Sequence, residues 1–210
     1  MTQRVKLTYI SLFILLPVCI VLGTSLGAFK IEFKQCANIL LNLFGADNYS
    51  DFTNPQHNVL LHIRLPRVFL SMMIGAALAV SGAGLQGLFR NPLADPGLIG
   101  ISAGAMLAAS IAIISGLQFT NGFLGYYSIS VATFIGAITT TIIVFRLSKA
   151  QNSTNIATML LAGIAINALA GAVTGFIIYL SNDDQLRDIT FWSLGSLGGA
   201  DWEKVIALIP

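Results

Sequence analysis

Two arginines three positions apart, Arg64-Leu-Pro-Arg67, and the polar break Asn91-Pro-Leu-Ala-Asp-Pro-Gly97 are where residue type and spacing admit chemistry in this chain. Two guanidinium groups one helical turn apart can each take a carboxylate through two parallel hydrogen bonds. They can equally act as interfacial anchors whose stems lie along apolar surface. In the break, Pro92 and Pro96 donate no backbone hydrogen bond and force extended geometry on the residues before them, so a helix must end there. The next helix opens near Gly97, and its unpaired amides can hold an anion or a polar group, or be capped by Asp95. Gln86, Asn91 and Asp95 therefore form one polar group, readable as part of a gate or as a capped turn.

The elements that position these groups follow from composition. The chain is 55% apolar and only 10% charged, and its charges fall between long uncharged blocks. This is the pattern of an integral membrane protein, all-α and built as a polytopic helical bundle. Leu7 to Phe29 follows Arg4 and Lys6 but is too long for a signal-peptide core and has no convincing small-x-small cleavage site at a suitable distance, so it reads as an uncleaved first span running outward. A polar stretch from Lys30 to His62 follows, with a short amphipathic piece around Phe33 to Phe44. Further spans are expected at about 68–89, 98–117, 128–145 and 156–180, with a turn near Gln118 to Tyr127 because about 20 residues suffice for one crossing. Asn182 to Asp188 reads as an outer loop, and 189–200 as a half-helix too short to cross. A sixth span starts at Trp202 and stops at Pro210, so the sequence reads as one transmembrane domain, 1–210, cut short within it.

Orientation rests on a balanced charge count. Arg4, Lys6, Arg90, Arg146 and Lys149 would lie inside, and Lys30, Lys34, Arg64, Arg67 and Arg187 outside; the first span sets the N-terminus inside. Gly75 and Ala79, Gly100 and Gly104, and Gly171 and Gly175 are each four apart and suggest close helix packing. On the fifth span Gly163, Asn167, Ala170, Gly171 and Thr174 share a small, mildly polar face, which is either a packing seam or the wall of a wide passage.

Several long segments then carry a resemblance, in order and at matching spacing from about His62 to the end. They are Arg64-Leu-Pro-Arg67, Gly75-Ala-Ala-Leu-Ala-Val-Ser-Gly-Ala-Gly-Leu-Gln86, Asn91-Pro-Leu-Ala-Asp-Pro-Gly97, Leu160-Leu-Ala-Gly163 and Phe191-Trp-Ser-Leu-Gly-Ser-Leu-Gly-Gly-Ala-Asp-Trp202. Together they resemble the permease family of bacterial importers for iron-siderophores, haem and cobalamin, with Leu186 to Gly199 most like the haem permeases. The resemblance implies about ten spans per subunit, five to six of them here, in the inner membrane. It also implies a second permease copy around a central passage, two cytoplasmic ATPase subunits, and a periplasmic substrate-binding protein that delivers haem or an iron-siderophore. By the same resemblance Arg64 and Arg67 would dock the binding protein, Asn91 would stand at the cytoplasmic gate, and the Gln151 to Asn155 loop would form its other side. The fifth span, with Asn167 and Thr174, would line the passage.

Other classes fit less well. No Gly-x-x-x-x-Gly-Lys-Ser/Thr loop occurs, so ATP hydrolysis would belong to a partner and the chain would be a transport subunit, not an enzyme. An ion-coupled secondary transporter would place ionisable residues within its spans, and a membrane enzyme would cluster His, Asp, Glu or Cys at facing depths; neither pattern is present. His57 and His62 read as surface residues, Cys19 and Cys36 as packing residues at different depths, and no metal, cofactor or nucleic-acid site is expected.

Overall fold

The uncharged runs form helices. The computed structural model describes residues 3–43, 45, 51–116, 123–150 and 153–209. In chain order it contains α1 (Gln3–Ser25), α2 (Phe33–Leu43), α3 (Asn54–Val59), a π-helical turn (Leu60–Arg64) and α4 (Leu65–Phe89). A 3-10 turn (Pro96–Ile99), α5 (Ile101–Ile114) and α6 (Phe123–Leu147) follow, then a two-residue ladder of β1 (Lys149–Ala150) with β2 (Ser153–Thr154), α7 (Ile156–Leu180), α8 (Asp183–Leu194) and α9 (Trp202–Ala207). Among the described residues, four stretches are long and apolar enough to cross a membrane: Gln3–Ser25, Asn54–Phe89, Tyr127–Leu147 and Ile156–Leu180. Along them Phe13, Val80, Phe134 and Tyr179 stand exposed, which hydrocarbon accepts and water penalises. The protein is an all-α, polytopic membrane bundle.

The chain divides into two compact units, Met1–Ala77 with Leu197–Pro210, and Leu78–Ser196. In the first, α2 turns Cys36 and Ile39 against Ile31 and Leu60, and Leu70, Ala200 and Val205 form a second small cluster. Cys36 is buried and Cys19 exposed, both as free thiols. In the second unit, Phe89, Ala94 and Ile99 pack with Val144 of α6 and Met159 of α7.

Two segments differ from the pattern expected from sequence. The stretch expected as a span at about 98–117 contains a helix of 14 residues, about 21 Å at 1.5 Å per residue. Turns flank it at both ends, and Gly100, at φ +84°, supplies the left-handed residue that separates the 3-10 turn from α5. The polar stretch Asn182 to Asp188, expected as a loop, is instead the N-cap and first half of α8. Asn182 accepts from the Gln185 amide while the Gln185 side chain accepts from the Asn182 amide, and Asp183 and Asp184 sit in the positively polarised first turn. The expected turn after α5 falls largely on residues 117–122, outside the described residues.

Candidate functional site

The first candidate group lies where the π-helical turn meets α4. Arg64 was expected at the surface; it is only 6% exposed. Its Nη1 donates to Thr24 O at 2.8 Å and Ser25 O at 2.7 Å, and its Nη2 donates to Phe29 O. Thr24 and Ser25 end α1, so the guanidinium satisfies carbonyls that have no intrahelical donor and sits at the negative end of that helix's dipole. Gly27 leaves the room: a Cβ there would stand 2.8 Å from Arg64 Nη2. An arginine with no exposed donor face and three carbonyls already bound is a helix-end cap. The sequence reading missed this because an Arg-x-x-Arg spacing carries no information about a partner some 40 residues earlier.

Pro66 adds a second feature. In the i→i−5 pattern of the turn, Leu65 N reaches Leu60 O, and the next donor, to Leu61 O, would be residue 66. Proline has no N–H, and the orphaned Leu61 carbonyl accepts from Trp202 Nε1 at 2.8 Å. The Trp202 ring also lies 5.6 Å from that of Phe69. Arg67 is exposed and donates from Nε and Nη2 to Leu197 O and Gly198 O, both at 3.1 Å. Lys204 Nζ takes the next carbonyl, Gly199 O, and pairs with Asp201 at 3.1 Å. Of the two arginines, Arg67 alone keeps a position open to a partner.

The second group belongs to the other unit. Gln86 is exposed near the end of α4, and its carbonyl accepts from Asn91 N at 3.2 Å. Arg90, at φ +49°, lets the chain leave the helix. Asn91 Oδ1 accepts from Leu93 N at 2.9 Å, and Asp95 Oδ1 accepts from Gly97 N at 2.7 Å, capping the 3-10 turn. Asn155 Oδ1 caps α7 through Thr158 N at 3.1 Å. Gln86, Asn91, Asp95 and Asn155 are all exposed, and among the described residues no hydrogen bond joins the side chains of Gln86, Asn91 and Asp95. Their capping is local; their outward faces are available.

Part of the small face of α7 is a packing seam. Gly163, Ala170 and Thr174 are buried, and Asn167 Nδ2 donates to Gly97 O at 2.8 Å. A Cβ on Gly163 would lie 1.9 Å from Leu98 O, so the 3-10 turn rests directly on the helix backbone. Thr174 Oγ1 is buried without a partner among the described residues. Asn167 and Thr174 therefore face protein in this unit. Gly171, expected on the same face, meets nothing within 4 Å, and the same holds for Gly75 and Gly175. Gly104 does pack closely: a Cβ there would lie 2.2 Å from Thr140 Oγ1 and 2.7 Å from Gly136 O. Gly136 had no pairing signal in the sequence, because its partner lies on another helix.

A profile of the FecCD transport family matches residues 15–210. The chain belongs to the FecCD transport family. Among FecCD relatives it is similar to the hemin transport system permease protein HmuU of Yersinia pestis, 43% identical over 195 residues, covering 93% of this chain and 54% of that protein. It is also similar to the vitamin B12 import system permease protein BtuC of Escherichia coli, 36% identical over 179 residues, covering 82% of this chain and 53% of that protein. A solved inward-facing structure assigned to the metal-chelate type of ABC transporter superposes with a TM-score of 0.73 at 28% identity, covering 94% of this chain and 56% of that one. The chain thus spans about half the length of the FecCD relatives it matches.

Proposed function

We propose that this chain forms part of the transmembrane permease subunit of an ATP-driven importer in the bacterial inner membrane, carrying haem. The observation that carries the reading is the 43% identity to a hemin permease along nearly the whole chain. An iron-siderophore or cobalamin is the second reading, supported by the likeness to a vitamin B12 permease and to a metal-chelate transporter. Cytoplasmic ATPase subunits would supply the hydrolysis, a periplasmic binding protein the cargo, and a second permease copy the other wall of the passage.

Within that reading the exposed groups divide by role. Arg67 is the docking residue offered to carboxylates of the binding protein, while Gln86, Asn91, Asp95 and Asn155 border the gate. Asn167 and Thr174 support the gate from behind. The decisive experiment is uptake of iron-labelled hemin against a labelled siderophore and cobalamin, in cells lacking their own importers and given this gene with an ATPase and a binding protein. Hemin-only uptake is the expected result, siderophore-only or cobalamin-only uptake moves the cargo to the second reading, and no uptake of any of them removes the transport claim. Replacing Arg67 by Glu should weaken docking most at low salt, where surface charge is least screened; an unchanged affinity would remove that role.

A further inference from the structure

We infer that the polar segment from Phe89 to Gly100 is no flap but part of one rigid body with α7 and the end of α6, so that Asn91, Asp95 and Asn155 are displaced together. The inference rests on the gate reading above for its functional meaning, and on three independent contacts for its mechanics. Ala94 and Ile99, two of the segment's apolar residues, are buried with Val144 and Met159, which ties the segment to both helices. Asn167 hooks Gly97 O from the middle of α7. Leu98 O lies against the bare Cα of Gly163, at a separation that admits no side chain.

Gly163 and Asn167 are one turn apart on α7, and their contacts fall on adjacent residues of the 3-10 turn, Leu98 and Gly97. Two such contacts oppose both sliding and rotation of the turn on the helix. Asp95 caps that same turn through Gly97 N, and Leu93 hangs from the Asn91 turn, so both polar groups inherit the position of α7. At the other end, Asn155 caps α7 and its amide donates to Ser148 O at 3.0 Å, which closes the connection back to α6. Exposed polar groups on a buried apolar frame can be moved only by moving the frame. A passage bordered by these residues therefore changes at Asn91, Asp95 and Asn155 together, and Asn167 is a positioning residue of the gate without touching cargo.

The test is a distance measured by paired spin labels at Leu93→Cys, 84% exposed, and Ala157→Cys, with the exposed Cys19 replaced by Ser and the labelled permease diluted into unlabelled copies so that only the distance within one copy is read, in the complete transporter without nucleotide and trapped with ATP. One narrow distance, unmoved between the two states, is expected; a peak that shifts or splits between states would overturn the inference. Replacing Asn167 by Ala should broaden that peak and lower uptake at least tenfold while ATP hydrolysis persists. Gly171→Ala, in open space on the same helix, should leave peak and uptake unchanged. Because peak width can be read in the purified permease alone, a protein that takes up none of the tested cargoes would remove the transport reading yet still decide the mechanical one. An Asn167→Ala peak as narrow as the parent's overturns the hook.

Discussion

The two units are held by opposite means. Around Arg64 to Arg67, long cations and an indole reach out to backbone carbonyls of distant segments, Thr24, Ser25 and Phe29 on one side and Leu61, Leu197 and Gly198 on the other. Around Gly163 and Gly104, side chains are absent, and backbones touch. The first arrangement needs donors with reach and tolerates small movements, since a guanidinium can follow its carbonyl. The second has no compliance, because close-packed backbone atoms have nowhere to go. A membrane protein has reason to use both: with little hydrophobic gain between helices in lipid, association depends on close van der Waals packing and on satisfied polar groups.

Substitutions can break this contrast in order of size. Gly163→Ala should be the most damaging, because its Cβ would meet a backbone oxygen; a loss of about 3 kcal/mol or more is expected, read as a fall in thermal unfolding temperature in detergent. A stability within error of the parent would mean the turn can lift off α7. Arg64→Met follows, at about 2 to 3 kcal/mol, because it strands carbonyls in a buried place. Arg64→Lys should recover only part of that, since an ammonium cannot span the same fork; full recovery would show that charge, not shape, holds the end of α1. Trp202→Phe keeps the ring and removes the indole N–H, and a loss of about 1 kcal/mol is expected. Asn155→Ala should be smallest, about 0.5 to 1 kcal/mol, measured as earlier fraying of α7 by amide hydrogen exchange.

Much of the architecture could be read from composition because lipid imposes a coarse rule: about 20 apolar residues per crossing, polar residues only with a purpose. That is why Ile156–Leu180 is one helix and why chain geometry changes at Asn91 to Gly97. Direction of contact was not readable. The stripe Gly163, Asn167, Thr174 is equally consistent with a seam and a passage wall until the 3-10 turn is seen lying on it, and the turn's own sequence, Pro-Gly-Leu-Ile, does not announce where it docks. Arg64 and Arg67 look equivalent in sequence, yet a π-helical turn ends between them and sends one inward and leaves the other at the surface. The Asn182 to Asp188 stretch was misjudged because its charge suggested a loop, although an Asn followed three residues later by Gln is a helix-start signature.

Pro66 also has a consequence in time. The donors and acceptors that Arg64 joins lie 35 to 40 residues apart and are available soon after α4 begins to emerge from the ribosome. The Leu61 carbonyl waits for an indole 141 residues later, a delay of order 10 s at about 10 residues per second. During synthesis this end of α4 is thus half assembled, its α1 side closed and its α9 side still open. Newly inserted chains should pass through a stage in which Trp202 is not yet seated, which an indole fluorescence change late in translation would report.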